Sequence, residues 1–139
     1  MITVQLGTED QIEVICALDE IARHNNERRE FIQWAVAEKV CYVAAGPQIV
    51  GYAVLNYSFF AQGFIAMLYV QQDWRRQGVG KILLEHLEKV CQTHKLFTST
   101  NLSNLPMQRL LAKFNYRLSG VIHDLDEGDP ELVYVKYLR

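Results

Sequence analysis

The stretch Val70-Gln71-Gln72-Asp73-Trp74-Arg75-Arg76-Gln77-Gly78-Val79-Gly80-Lys81 concentrates the groups best suited to gripping an anion. An apolar run ends at Val70, and Val79, Ile82, Leu83, Leu87 and Val90 recur at helical spacing beyond it, so the segment carries a strand into a helix N-terminus. Backbone N–H groups there lack intrahelical acceptors, and the aligned peptide dipoles add partial positive charge. Gly78 and Gly80 let the chain approach an anion closely. Arg75, Arg76 and Lys81 add full charge, which suits a pyrophosphate or a 3′-phosphate better than a lone carboxylate. The spacing excludes a Walker loop, because there is no Gly-x-x-x-x-Gly-Lys-[Ser/Thr]. It also excludes the three-glycine dinucleotide fingerprint, because Leu83 stands where the third glycine would be.

Other reactive side chains are scattered. His24, His86 and His94 have no second ligand at metal spacing and read as surface residues, so no metal site is expected. His123-Asp124 pairs a base with an orienting carboxylate on paper, yet neighbours on a strand point to opposite faces. Tyr69 reads as core of a central strand, and Tyr116, at the start of a strand, as a packing residue with a hydroxyl available for acid work. Arg28-Arg29-Glu30 reads as a solvated helix face. Cys16, Cys41 and Cys91 are odd in number, widely spaced and without a Cys-x-x-Cys pair, which predicts reduced, mostly buried thiols.

The elements that must position these groups follow from patterning. The 139 residues, half of them hydrophobic, suffice for one domain over 1–139 with one core. Net charge is −2, which argues against a nucleic-acid or anionic-lipid surface. The longest apolar run, Phe64 to Val70, falls far short of the roughly 18 residues of a membrane span. No secretory signal is legible at the N-terminus, so a cytoplasmic location is expected. Alternation predicts a first strand over Ile2–Leu6, and Thr8 and Gln11 a capping box for a helix running to about Ala22. A second helix carries Phe31, Trp34 and Ala35 on one side. A hairpin follows over Cys41–Ala45 and Ile49–Leu55, then Phe64–Val70 as a central strand covered on both faces. A helix from about Gly78 to Thr93, a short strand over Leu96–Thr100, a helix opened by Pro106, and strands from about Arg117 to Leu125 and Leu132 to Leu138 complete the chain. The expected class is mixed α/β: a mostly antiparallel central sheet with one parallel pair, flanked by helices.

Arg75-x-x-Gly78-x-Gly80 resembles the Gln/Arg-x-x-Gly-x-Gly/Ala signature of the GNAT superfamily of N-acetyltransferases. Leu68-Tyr69-Val70 before the loop, Ile82-Leu83-Leu84 after it, and Asn104-x-x-Met107-x-x-Leu110-Leu111-x-Lys113-x-Asn115-Tyr116 extend the likeness across nearly the whole chain. The resemblance implies acetyl-CoA as acyl donor, lying where the parallel pair splays, and direct attack on the thioester by a primary amine of a small molecule or peptide. Leu68, Tyr69 and Val70 would meet the pantetheine arm, and a backbone N–H near Met67 or Leu68 would polarise the thioester oxygen. Gln77, Gly78, Val79, Gly80 and Lys81, with Arg75 and Arg76, would hold the pyrophosphate, and Asn104 would contact the cofactor arm. The helix tyrosine that many relatives use as acid is replaced by Leu111, and Ile65-Ala66-Met67 lacks the strand glutamate often used as base. The base is therefore unassigned, with Tyr116 and His123 as the remaining candidates. The alternatives are a catalytically weak or inactive CoA-binding module and an interaction domain on the same fold. This architecture also admits a homodimer through the C-terminal strands.

Overall fold

The computed structural model describes all residues, 1–139. Its strands are β1 (Thr3–Leu6), β2 (Cys41–Ala45), β3 (Ile49–Phe59), β4 (Gln62–Val70), β5 (Lys95–Asn101), β6 (Arg117–Ile122) and β7 (Glu131–Tyr137). Its helices are α1 (Ile12–Leu18), α2 (Asn26–Ala37), α3 (Val79–Val90) and α4 (Leu105–Lys113). The strands form one sheet in the order β1-β2-β3-β4-β5-β7-β6. Its one parallel pair is β4 with β5, where Gly63, Phe64 and Ile65 face Leu96, Phe97 and Thr98. This is the mixed, mostly antiparallel architecture expected from the pattern. Contacts divide the chain into two compact units, Met1–Leu55 with Met67–Leu87, and Asn56–Ala66 with Glu88–Arg139.

In the first unit β1 and β2 pair antiparallel from Thr3–Ala45 to Leu6–Tyr42, and β2 pairs with β3 from Cys41–Val54. Ile15, Cys16, Ile32, Val43, Val50, Leu83 and Leu87 are fully buried there. Thr8 N–H donates to Gln11 Oε1 at 2.9 Å, as a capping box requires, and opens a short 3-10 turn ahead of α1. The first helix stops at Leu18 rather than near Ala22. Asp19 turns extended (φ −89°, ψ 109°), and its Oδ1 accepts the Ile21 and Ala22 N–H groups at 2.9 and 3.2 Å. Helix α2 buries Ile32, Ala35 and Val36, so the apolar stripe is displaced from the expected one. Trp34 is 47% exposed and rests on Phe31 at 6.0 Å between ring centroids.

In the second unit β7 lies between β5 and β6, antiparallel to both. Thr98 is buried and donates through Oγ1 to the Ile65 carbonyl at 2.9 Å, a side-chain bond across the parallel pair. Helix α3 ends at Val90, before Thr93, and Thr93 Oγ1 instead accepts the Gly63 N–H at 2.9 Å. Arg139 donates to the Glu88 and Cys91 carbonyls at 3.1 and 2.5 Å, capping that helix end with a cation. Full coverage of both faces was expected for the apolar strand, yet only Gly63 and Ile65 are buried in β4, and Phe64 and Ala66 through Val70 are partly exposed.

Candidate functional site

Strand β4 is locked to β3 where the loop begins: the Gln71 N–H donates to the Val50 carbonyl at 2.8 Å. One 3-10 turn over Gln72–Trp74 follows, and Arg75 extends (φ −71°, ψ 153°). The Arg75 Nε–H donates to the Val70 carbonyl at 2.9 Å, and its guanidinium carbon sits 5.4 Å from the Tyr69 ring centre. That fixes the stem of the side chain and leaves its terminal N–H groups free to turn toward an anion. Arg76 and Gly78 both take positive φ, 64° and 85°, so the chain doubles back before the helix starts. Ile82 is the first residue to donate within the helix, to the Gly78 carbonyl at 3.1 Å. The N–H groups of the preceding turn are those a helix N-terminus leaves for an anion. A β-carbon on Gly78 would meet nothing within 4 Å, so the loop stands open. Gln77 is held by its side-chain amide on the Asp73 carbonyl at 3.0 Å, and Lys81 is exposed.

The strand feeding this loop is braced from below. Gly51 in β3 lies so close to β4 that a β-carbon would sit 2.8 Å from the Tyr69 carbonyl oxygen and 3.4 Å from both Val79 and Leu83. Because the nearest obstacle is backbone, Gly51→Ala is expected to lower stability by about 1–3 kcal/mol, read from the urea midpoint.

Tyr69 is not simple core. Its hydroxyl accepts the Glu20 N–H at 3.2 Å, and its ring lies 6.1 Å from that of Tyr52. Beneath it is a buried charge site that the sequence reading missed. Asp19, fully buried, receives the Tyr52 hydroxyl at 2.5 Å and the Arg28 Nε–H at 2.9 Å on Oδ2, besides the two backbone N–H groups on Oδ1. Burial pushes the Asp19 carboxyl up, but the bonds from Tyr52, Arg28 and Ala22 outweigh it and hold it below the usual range. Burial, reinforced by the donated bond to Asp19, drives the Tyr52 hydroxyl well above its usual value. Arg28 is thus a structural cation, not part of a solvated face, and Arg29 pairs with Glu13 at 3.0 Å. No local signal marked it, since Asp19 and the exposed Glu20 stand side by side between apolar Leu18 and Ile21.

The remaining expected residues fall as follows. Leu68, Tyr69, Val70 and the whole Arg75–Lys81 loop share the first unit. Asn104 belongs to the second, where it is exposed and caps α4, its Oδ1 accepting the Met107 N–H at 3.2 Å. Tyr116 is 4% exposed and donates to Glu88 Oε2 at 2.8 Å, while Lys136 pairs with the other carboxylate oxygen at 3.0 Å. Burial, with Glu88 alongside, drives that phenol strongly up, which makes it a packing residue with a committed proton. Leu111 is fully buried. His123 is exposed just beyond β6, and His86 is half-buried against Tyr42 with ring centres 5.0 Å apart.

Comparison with known proteins places the chain. A family model described as the acetyltransferase (GNAT) family matches residues 10–116. Among solved structures, an acetyltransferase of the GNAT family from Bacillus cereus superposes with a TM-score of 0.93 at 29% identity, covering 100% of this chain and 99% of that one. The ribosomal-protein-S18-alanine N-acetyltransferase of Escherichia coli superposes at 0.81 with 16% identity, covering 99% and 94%. A Bacillus anthracis protein solved in complex with acetyl coenzyme A matches at 0.66 with 18% identity, over 70% of this chain and 61% of that one. No curated protein matches the sequence.

Proposed function

Since the chain belongs to the GNAT acetyltransferase family, we propose that it is an N-acetyltransferase that moves the acetyl group of acetyl-CoA to a primary amine within a ternary complex. The observation that carries this reading is the open helix N-terminus at Gln77–Lys81, with Arg75 anchored beside it on the Val70 carbonyl. In this reading the N–H groups of Gln77, Gly78, Val79, Gly80 and Lys81 hold the pyrophosphate, and Arg75 and Arg76 neutralise its charge. Backbone groups of Leu68, Tyr69 and Val70 bond the pantetheine arm. A backbone N–H near Met67 or Leu68 stabilises the oxyanion as the amine nitrogen bonds to the acetyl carbon. The C–S bond then breaks, and the thiolate takes a proton as CoA leaves. The acceptor arrives as an ammonium ion, which has no lone pair, so a proton must leave before attack through a side chain or water. Positioning alone lowers the barrier to aminolysis of a thioester substantially.

A second reading, CoA binding without turnover, draws on two features. Leu111 stands where the resemblance places an acid, and Ile65-Ala66-Met67 contains no carboxylate. Titrating acetyl-CoA calorimetrically and then following thiol release with a panel of small amines and peptide N-termini separates the readings. Micromolar binding with amine-dependent thiol release is expected. Binding without release against any amine would favour the second reading, and no binding by folded protein free of co-purified CoA would overturn both.

A further inference from the structure

We infer that the Tyr69 side chain is a positioning element of the anion loop: its ring, fixed from the buried Asp19–Tyr52 pair, holds the Arg75 guanidinium ready for the pyrophosphate. This role rests on the cofactor reading proposed above and deepens it, because there Tyr69 supplied backbone groups alone.

A chain of contacts runs from the core to the loop. Asp19, fully buried, accepts the Tyr52 hydroxyl at 2.5 Å, which pins the first ring. The Tyr69 ring lies on it with centres 6.1 Å apart and planes 30° from parallel. At its tip the Tyr69 hydroxyl accepts the N–H of Glu20, the residue next to Asp19, at 3.2 Å. At its root the strand has no room to shift, since a β-carbon on Gly51 would already sit 2.8 Å from the Tyr69 carbonyl oxygen. The ring is thus held at root, face and tip. Arg75 then lies with its guanidinium carbon 5.4 Å over the centre of this ring, and its Nε–H donates to the Val70 carbonyl at 2.9 Å. A cation is attracted to the face of an aromatic ring, and the planar guanidinium is shaped to lie on one.

Arg76 supplies the contrast. It is exposed at φ 64°, and its side chain makes no hydrogen bond, ion pair or ring contact. A long side chain gives up rotamer freedom when it grips a ligand, so one that is already held binds at less entropic cost. Arg76 must be ordered as an anion arrives, whereas Arg75 is ordered beforehand. Tyr69 is what makes the two arginines different.

Calorimetric titration of acetyl-CoA into folded variants tests this, with folding checked by circular dichroism and the urea midpoint. Arg75→Ala is expected to weaken binding about tenfold and Tyr69→Leu about fivefold, while Tyr69→Phe, which keeps the ring face, recovers most of the loss. With Arg75→Ala already present, Tyr69→Leu should cost nothing further, because a residue acting through the guanidinium has nothing left to act on. A loss caused merely by a disturbed strand would persist in both backgrounds. Arg75→Lys tests the same point without touching strand packing, since position 75 is exposed. It keeps the charge but neither the flat face nor the Nε donor, and should lose nearly as much affinity as Arg75→Ala. Wild-type affinity in Arg75→Lys or Tyr69→Leu overturns the inference, as does a Tyr69→Phe loss equal to that of leucine or a Tyr69→Leu loss undiminished in the double variant. In each of these outcomes the wild type still binds and the cofactor reading stands. A folded wild type that does not bind acetyl-CoA overturns both.

Discussion

Asp19→Ala is expected to unfold at a far lower urea concentration than the wild type, with stability reduced by about 3–5 kcal/mol. The carboxylate lies fully buried and takes four donors: the Tyr52 hydroxyl, the Arg28 guanidinium, and the N–H groups of Ile21 and Ala22. Removing it strands a guanidinium and leaves the phenol without its acceptor. It also frees two N–H groups that hold the turn between α1 and α2. Tyr52→Phe removes one donor only and should cost about 1–3 kcal/mol. Acid gives an independent reading. The folded pKa of Asp19 lies below its unfolded value of about 3.9. Its contribution is therefore complete above the unfolded pKa and is lost as pH falls through the folded one. Asp19→Asn, which cannot ionise, should lack that part of the acid-side decline. A wild-type and Asp19→Asn pair that lose stability in parallel below pH ~4 would falsify the assignment.

The second large effect separates charge from shape in the loop. Under the proposed function, Gly78→Glu is expected to weaken acetyl-CoA binding about 100-fold or more, measured by calorimetry, because it would set a carboxylate against a pyrophosphate held at the helix N-terminus. Its control is Gly78→Ala, which carries the same backbone strain at φ 85°. The added methyl meets nothing within 4 Å, so its cost is about 1 kcal/mol of stability and only a few-fold in affinity. If alanine and glutamate weakened binding equally, backbone freedom rather than electrostatics would govern the site.

The contrast between these two regions explains what could be read from residues alone. The loop was legible because its parts are local: an apolar strand, two arginines, two glycines and a helical repeat follow one another directly between Phe64 and Val90, and helix-terminus physics needs nothing else. The strands were legible for the same reason, alternation being a property of neighbours. Asp19, Arg28 and Tyr52 are separated by 9 and 33 positions, and no short-range pattern tells a carboxylate that will be buried from one that will not. The end of α1 depended on the same unseen cluster, since it is the Asp19 carboxylate that captures the next N–H groups. Asn104 illustrates the converse. Its place in a familiar motif suggested a cofactor contact, and its capping of α4 follows equally well from an asparagine just before Leu105-Pro106. Trp34 misled because a large aromatic at helical spacing implies a buried face, while α2 buries its smaller residues.

The three cysteines bear on how activity is best followed. Cys16, Cys41 and Cys91 are each at most 1% exposed and unpaired, and burial pushes the Cys41 thiol up to about 12 and raises that of Cys16. A thiolate-seeking dye added to the folded protein therefore finds almost nothing to react with. In an assay of the proposed acetyl transfer, the colour it develops would report released CoA alone, with little protein background to subtract. Once the chain unfolds, three thiols per molecule enter solution together, so the same dye in urea becomes a stoichiometric clock for global opening.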